Sequence, residues 1–216
     1  MVRSICDKYG VLLILDEVMM GFGRTGKMFA CEHWNVVPDI MTVAKSLTNG
    51  CVPLGATIVT KEVAKKFEGG TKELLKHSYT YAGHPVACAA GLVSLEIMER
   101  EKVVENSRVM GKYLFEGLQS LRKHRIVSEV RGGLGLDCGI EFIKDRESGE
   151  RLNAEENKRV VAMLKQKVRK AGLWGPVGNP LQLRPPLIIN SGEVDEIVTT
   201  LDQVIGEIVK ELPVGP

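Results

Sequence analysis

Residues 11–26 read "VLLILDEVMMGFGRTG": five aliphatic side chains in a row, an Asp-Glu pair, then a literal G-x-G-x-x-G from Gly21 to Gly26. The uninterrupted aliphatic run predicts a strand covered on both faces, as in a parallel sheet. Three chemistries compete for the segment after that strand. A dinucleotide-binding turn begins at the strand's end, so that a helix N-terminus meets a pyrophosphate. Here five residues, Asp16 to Met20, intervene, and two are carboxylates where phosphate would sit. The ribose-binding acid expected about 20 residues further on is missing, since that region reads "VVPDIMTVAK". An acidic strand end also holds Mg²⁺ in P-loop ATPases, but the G-x-x-x-x-G-K-[ST] cradle this requires is absent from the chain. Asp16 and Glu17 in that role presuppose a cradle upstream. The third possibility is that Asp16 only caps a turn.

A partner tips the balance. A second apolar run, "IMTVA" (40–44), ends at Lys45 in "TVAKSLTNG". In an open parallel sheet, ligands collect beyond the carboxyl ends of the strands. Asp16 and Lys45 are therefore expected at neighbouring strand ends facing one crevice. An amine and a carboxylate so placed suit pyridoxal phosphate. The lysine joins the cofactor's aldehyde, and the acid keeps the pyridine nitrogen protonated. The charged ring then draws electrons from the substrate's α-carbon while the freed lysine moves the proton.

The longer stretch "LLILDEVMMGFGRTGKMFACEHWNVVPDIMTVAKSLTNGCVPLGATIV", with "HSYTYAGHPVACAAGL" and "RPPLIIN" after it, resembles the class III aminotransferases of the ω-amino acid type, which are fold-type I pyridoxal 5'-phosphate enzymes. The resemblance covers essentially the whole chain. It implies Lys45 as the Schiff-base lysine and Asp16 as the partner of the ring nitrogen. It implies Val18 packing on one ring face and Thr80 reaching the cofactor phosphate of a neighbouring subunit. A homodimer with its site at the subunit interface follows from that last role. The reaction implied moves an amino group from an ω-amino acid or amine to pyruvate or 2-oxoglutarate by ping-pong chemistry. A racemase, aminomutase or lyase of the same family would use the same lysine and aspartate. An ATPase fragment and an inactive, dimerising remnant stay open as readings of a different class.

Two positions depart from the family pattern. Met19 stands where many relatives carry a glutamine that bonds the ring hydroxyl, and a thioether does not donate that bond. Gln182 stands where several relatives have an arginine before the Pro-Pro pair. Arg184, two residues on, shares its strand face and is the candidate clamp for a substrate carboxylate. The family's phosphate loop and the aromatic cover of the other ring face lie upstream of "DEV", so the chain is expected to be a C-terminal fragment that begins in mid-domain. Whether it binds the cofactor without the other half stays open.

The remaining sequence sets the frame. Over 216 residues, 29 basic and 27 acidic side chains give a net charge of +2 with no basic cluster, which argues against a nucleic-acid partner. The aliphatic run 11–15 is too short to cross a bilayer, and no secretory apolar segment opens the chain. Five scattered cysteines without a C-x-x-C pair suggest reduced thiols in the cytoplasm. His33, His77, His84 and His124 lack metal-ligand spacing. The character changes near His124, from strands alternating with helices to adjacent strands followed by helices. Asn153 with Glu156 opens one of these helices as a capping box; residues 181–189 read as an edge strand broken by prolines. The expected architecture is α/β. Residues 1–123 form the C-terminal part of a large domain with a mainly parallel sheet flanked by helices, and residues 124–216 form a small α+β domain.

Overall fold

A computed structural model of the chain describes residues 1–212. The chain divides into two compact units, Met1–Val104 and the residues from Glu105 on.

In the first unit, helix α1 (Val2–Tyr9) stops at Gly10, which takes the left-handed conformation (φ 64°) that glycine adopts without steric penalty. Strands β1 (Ile14–Asp16), β2 (Ile40–Val43) and β3 (Ala56–Val59) form one sheet in that order. Asp39 ties the start of this sheet together: its Oδ2 accepts the Leu13 N–H at 2.7 Å and Arg3 Nη1 at 2.7 Å. β1 and β2 run parallel, with Ile14 opposite Ile40 and Asp16 opposite Thr42. β3 runs antiparallel to β2, with Val43 opposite Ala56. The sheet thus holds one parallel and one antiparallel pairing where a mainly parallel one was expected. The link from β2 to β3 contains a single 3₁₀ turn, Lys45–Leu47, and no crossover helix of the kind a parallel return uses.

β1 also departs from its expected burial. Leu13 is buried, but Val11, Leu12 and Ile14 are 57%, 54% and 59% exposed. Among the described residues no strand pairs with the outer edge of β1. After the short α2 (Lys61–Ala64), helix α3 (Pro85–Arg100) starts with proline in its first turn, where the missing N–H leaves nothing unsatisfied. α3 backs the segment after β2: Gly91 lies so close that a Cβ there would sit 3.1 Å from Leu54 Cδ2, and Ser94 Oγ donates to Ser46 O at 3.4 Å.

In the second unit, α4 (Val103–Gln119) leads into β4 (Val127–Arg131) and β5 (Cys138–Phe142). Then come α5 (Ala154–Lys170), β6 (Leu181–Leu183) and α6 (Ser191–Glu211). The sheet is antiparallel in the order β4-β5-β6. Cys138, Ile140 and Phe142 alternate into the core from the central strand, and Leu164 of α5 and Leu201, Ile205 and Ile208 of α6 are fully buried against it. Leu114 and Leu118 of α4 and Leu121 beyond it belong to the same core. The compact division falls in the first turn of α4, between Val104 and Glu105, whereas the change of sequence character points to 123/124.

Capping boxes open α5 (Asn153 with Glu156) and α6 (Asn190 with Glu193). β6 is shorter than the 181–189 expected, because Pro185 and Pro186 cannot donate to a ladder; it lies at the sheet edge. Where β5 runs out, the side-chain amide of Asn179 takes over as a strand partner. It accepts the Phe142 N–H at 2.8 Å and donates to the Phe142 carbonyl at 2.9 Å.

Candidate active site

At the end of β1 the two carboxylates of the Asp-Glu pair part. Asp16 is exposed and Glu17 is 3% exposed, as successive residues of extended chain must be when one face is covered. Two carboxylates on opposite faces do not share one cation, so Asp16 and Glu17 do not form the Mg²⁺ pair of the ATPase reading. Asp16 Oδ1 accepts the Val18 N–H at 2.9 Å, which holds the carboxylate at the strand end. Val18 is half-buried, and Met19 is 44% exposed.

The parallel register brings the carboxyl ends of β1 and β2 to the same side of the sheet. Lys45 lies three residues beyond Thr42, the residue opposite Asp16. With strands about 4.8 Å apart and a rise of about 3.3 Å per residue, the Asp16 and Lys45 Cα atoms are at most roughly 11 Å apart. A lysine's flexible four-carbon stem and an aspartate bridge that span across one aromatic ring. Lys45 is exposed and takes a left-handed conformation, φ 48°, a strained state for a residue with a Cβ and one that concentrates at functional sites. Its turn is closed by the Leu47 N–H on Ala44 O at 3.1 Å and the Thr48 N–H on Lys45 O at 3.2 Å.

The glycine-rich loop after β1 turns its donors inward. Gly21 N–H bonds Glu17 O, Phe22 and Gly23 N–H bond Met28 O, and Gly26 N–H bonds Gly23 O. None of these four amides is left to cradle a phosphate, which disposes of the dinucleotide reading on physical grounds. His33 Nε2 holds the loop's far side, 3.0 Å from Thr25 O and 3.2 Å from Thr25 Oγ1.

The residue that sequence reasoning missed here is Glu17 in its actual role. Its carboxylate accepts the Ala30 N–H at 3.1 Å and the Cys31 N–H at 2.9 Å. Burial, then the nearby Glu17 charge, pushes the Cys31 thiol above its ordinary pKa. Only the alternation of the Asp-Glu pair pointed to a buried Glu17; its partners lie too far along the chain to be read.

Thr80 is exposed, in a turn whose Ala82 N–H bonds Tyr79 O at 3.0 Å. Arg184 belongs to the second unit, just past β6. Its Nε donates to Asp137 Oδ1 at 2.8 Å and its Nη1 to Gln182 Oε1 at 2.8 Å, so it shares the face of Gln182 and already has a carboxylate partner. Among the described residues, no group of three or more His, Cys, Asp or Glu is placed to hold a metal ion, and no helix is long and apolar enough to cross a membrane.

Comparisons with known proteins identify the family. A taurine–pyruvate aminotransferase of Bilophila wadsworthia is 40% identical over 210 residues, covering 94% of this chain and 46% of the relative. The crystal structure of an (S)-enantioselective ω-transaminase from Thermomicrobium roseum superposes with a TM-score of 0.89 at 36% identity, over 96% of this chain and 46% of that one. An amine transaminase from an uncultivated Pseudomonas species, in a pyridoxal-phosphate-bound form, gives a TM-score of 0.87 at 37% identity, over 95% and 47%. The chain spans about half the length of these relatives. The fold is α/β, that of the transaminases. The pattern of "Aminotransferase class-III" matches residues 1–205, and the chain belongs to that family of pyridoxal-phosphate enzymes.

Proposed function

We propose that this chain forms part of a ping-pong transaminase that takes an amino group from an ω-amino acid or amine and passes it to pyruvate or 2-oxoglutarate. The observation that carries the reading is the parallel register of β1 and β2, with an exposed carboxylate at one strand end and an exposed amine just past the other. The taurine–pyruvate and ω-transaminase relatives support the substrate class. The donor set fits pyridoxal phosphate: Lys45 as covalent tether, Asp16 toward the ring nitrogen, Val18 against a ring face, and Thr80 toward the phosphate held by a partner subunit. When bound, the cofactor supplies an electron sink for the substrate's α-carbon.

The chain's own groups do the rest. Asp16, oriented by the Val18 N–H, presents its carboxylate at the strand end, where a carboxylate facing the ring nitrogen favours a proton there. Lys45, on a flexible arm above a rigid turn, takes and returns a proton as general base and acid. Arg184 offers a planar fork to a substrate carboxylate, in competition with Asp137. Residues 1–123 are assigned to the large, cofactor-binding domain and residues 124–216 to the small C-terminal domain. The working form is a homodimer in the cytoplasm, with its site at the subunit interface.

The test is direct. Pyridoxal phosphate is added to the protein, borohydride fixes whatever has joined it, and the labelled peptide is mapped. Label on the Lys45 peptide, lost in Lys45→Ala, is the expected result. Label spread over surface lysines, unchanged in that variant, removes the reading. An amine panel with each keto acid then reads out the substrates.

A further inference from the structure

We infer that Glu17 is the positioning residue that holds Asp16 and Val18 toward the cofactor, an inference that rests on the cofactor roles proposed for those two residues. Glu17 links Asp16, the last residue of β1, to Val18, the first residue of the turn that follows, and the Val18 N–H in turn bonds the Asp16 carboxylate at 2.9 Å. What fixes Glu17 therefore bears on both neighbours. Glu17 is held at four points. Its N–H bonds Thr42 O at 2.9 Å, its carbonyl accepts the Gly21 N–H at 2.9 Å, and its carboxylate accepts the Ala30 and Cys31 N–H groups.

A buried carboxylate is tolerated only when hydrogen bonds replace its lost hydration. Here they come from the first residues of the 3₁₀ turn Ala30–Trp34. Removing the charge thus frees the loop and the strand end together.

The test begins without cofactor, on the 216-residue chain. The Val18 amide proton, bonded to the Asp16 carboxylate, reports that carboxylate's titration in an NMR pH series. In Glu17→Gln the side-chain amide presents N–H where a backbone N–H needs an acceptor. Amide exchange at Ala30 and Cys31 is expected to quicken about tenfold. The pH-dependent shift of Val18 is expected to shrink about twofold as the Asp16 bond loosens. Glu32→Gln is the control: it removes the acceptor of the Phe29 N–H in the same loop and is expected to leave Val18 as in the wild type.

Faster exchange at Ala30 and Cys31 with an unchanged Val18 titration makes Glu17 a loop anchor only and overturns the proposal. So does an equal loss of the Val18 shift in Glu32→Gln. If Glu17→Gln does not fold, Ala30→Pro decides. It removes one donor at a position where proline suits the first turn, and a Val18 titration identical to wild type then overturns the proposal.

Pyridoxal phosphate is added last. Binding about tenfold weaker in Glu17→Gln, with a displaced pH dependence of the cofactor's absorbance, is the expected result; identical affinity and pH dependence overturn it. Wild-type protein that gathers no label on Lys45 removes the cofactor reading and leaves the Glu17–Asp16 coupling standing on the first arm.

Discussion

At Lys45 the backbone stands at φ 48°, a conformation that only glycine adopts freely. Lys45→Gly is expected to stabilise the first unit by about 1 kcal/mol by relieving that strain, while abolishing the borohydride-fixed label. Urea unfolding and peptide mapping on one preparation check both halves. Gly21→Ala works in the other direction. The new Cβ meets the Glu17 carbonyl at 2.7 Å, and overpacking against backbone is expected to cost about 1–3 kcal/mol in a denaturant midpoint. Asp16 and Lys45 were legible in the sequence because each ends an apolar run, and strand ends follow from local pattern. The hold of Glu17 on Ala30 and Cys31 was not, since a hydrogen bond across 13 or 14 residues leaves no periodic trace.

Among the elements, the helix starts were the most readable. The Asn153 and Glu156 bonds that open α5 are those the spacing predicts, and Asn153→Ala is expected to cost about 1 kcal/mol, read as a lowered Tm. Asn179 carries no comparable signal in sequence, yet its amide extends the β5 edge. Asn179→Ala strands the Phe142 N–H and C=O and is expected to cost about 1–3 kcal/mol, with faster exchange of the Phe142 amide. The ion pairs that join elements give a pH dependence. Asp39 is held below its ordinary 3.8 by the Leu13 N–H and then Arg3. Asp202 is held below it by Lys123 and then His124. The folded state thus binds these protons less readily than the unfolded chain. Their stabilisation is complete above the unfolded value near 3.8 and is lost as pH falls through the depressed folded values. Acid titration of the fold, repeated with Asp39→Asn, is expected to show a shallower loss in the variant. The direction of β3 was not legible: apolar runs look alike in either direction, and β3 runs antiparallel to β2 through its short connection.

For the whole molecule the two units differ in how far they close their cores. The second buries a continuous cluster, and Leu201→Ala there is expected to cost about 2–5 kcal/mol, visible as lost exchange protection in β5 and α6. The first leaves Val11, Leu12 and Ile14 largely exposed, more contiguous apolar surface than a strand end needs. The proposed homodimer is checked by light scattering on the purified chain; a monomer mass with intact cofactor labelling would remove the subunit-interface role of Thr80.

What the sequence determined by itself was local: which runs become strands, which residues cap helices, and that an acid and an amine end two neighbouring runs. These follow from period and composition, which act over a few residues. The tertiary structure decided the pairing that sets Asp16 opposite Thr42, the face to which each carboxylate turns, and the inward donors of the glycine loop. Each depends on which distant backbone groups remain unsatisfied once the chain has folded, and only the assembled hydrogen-bond network determines that.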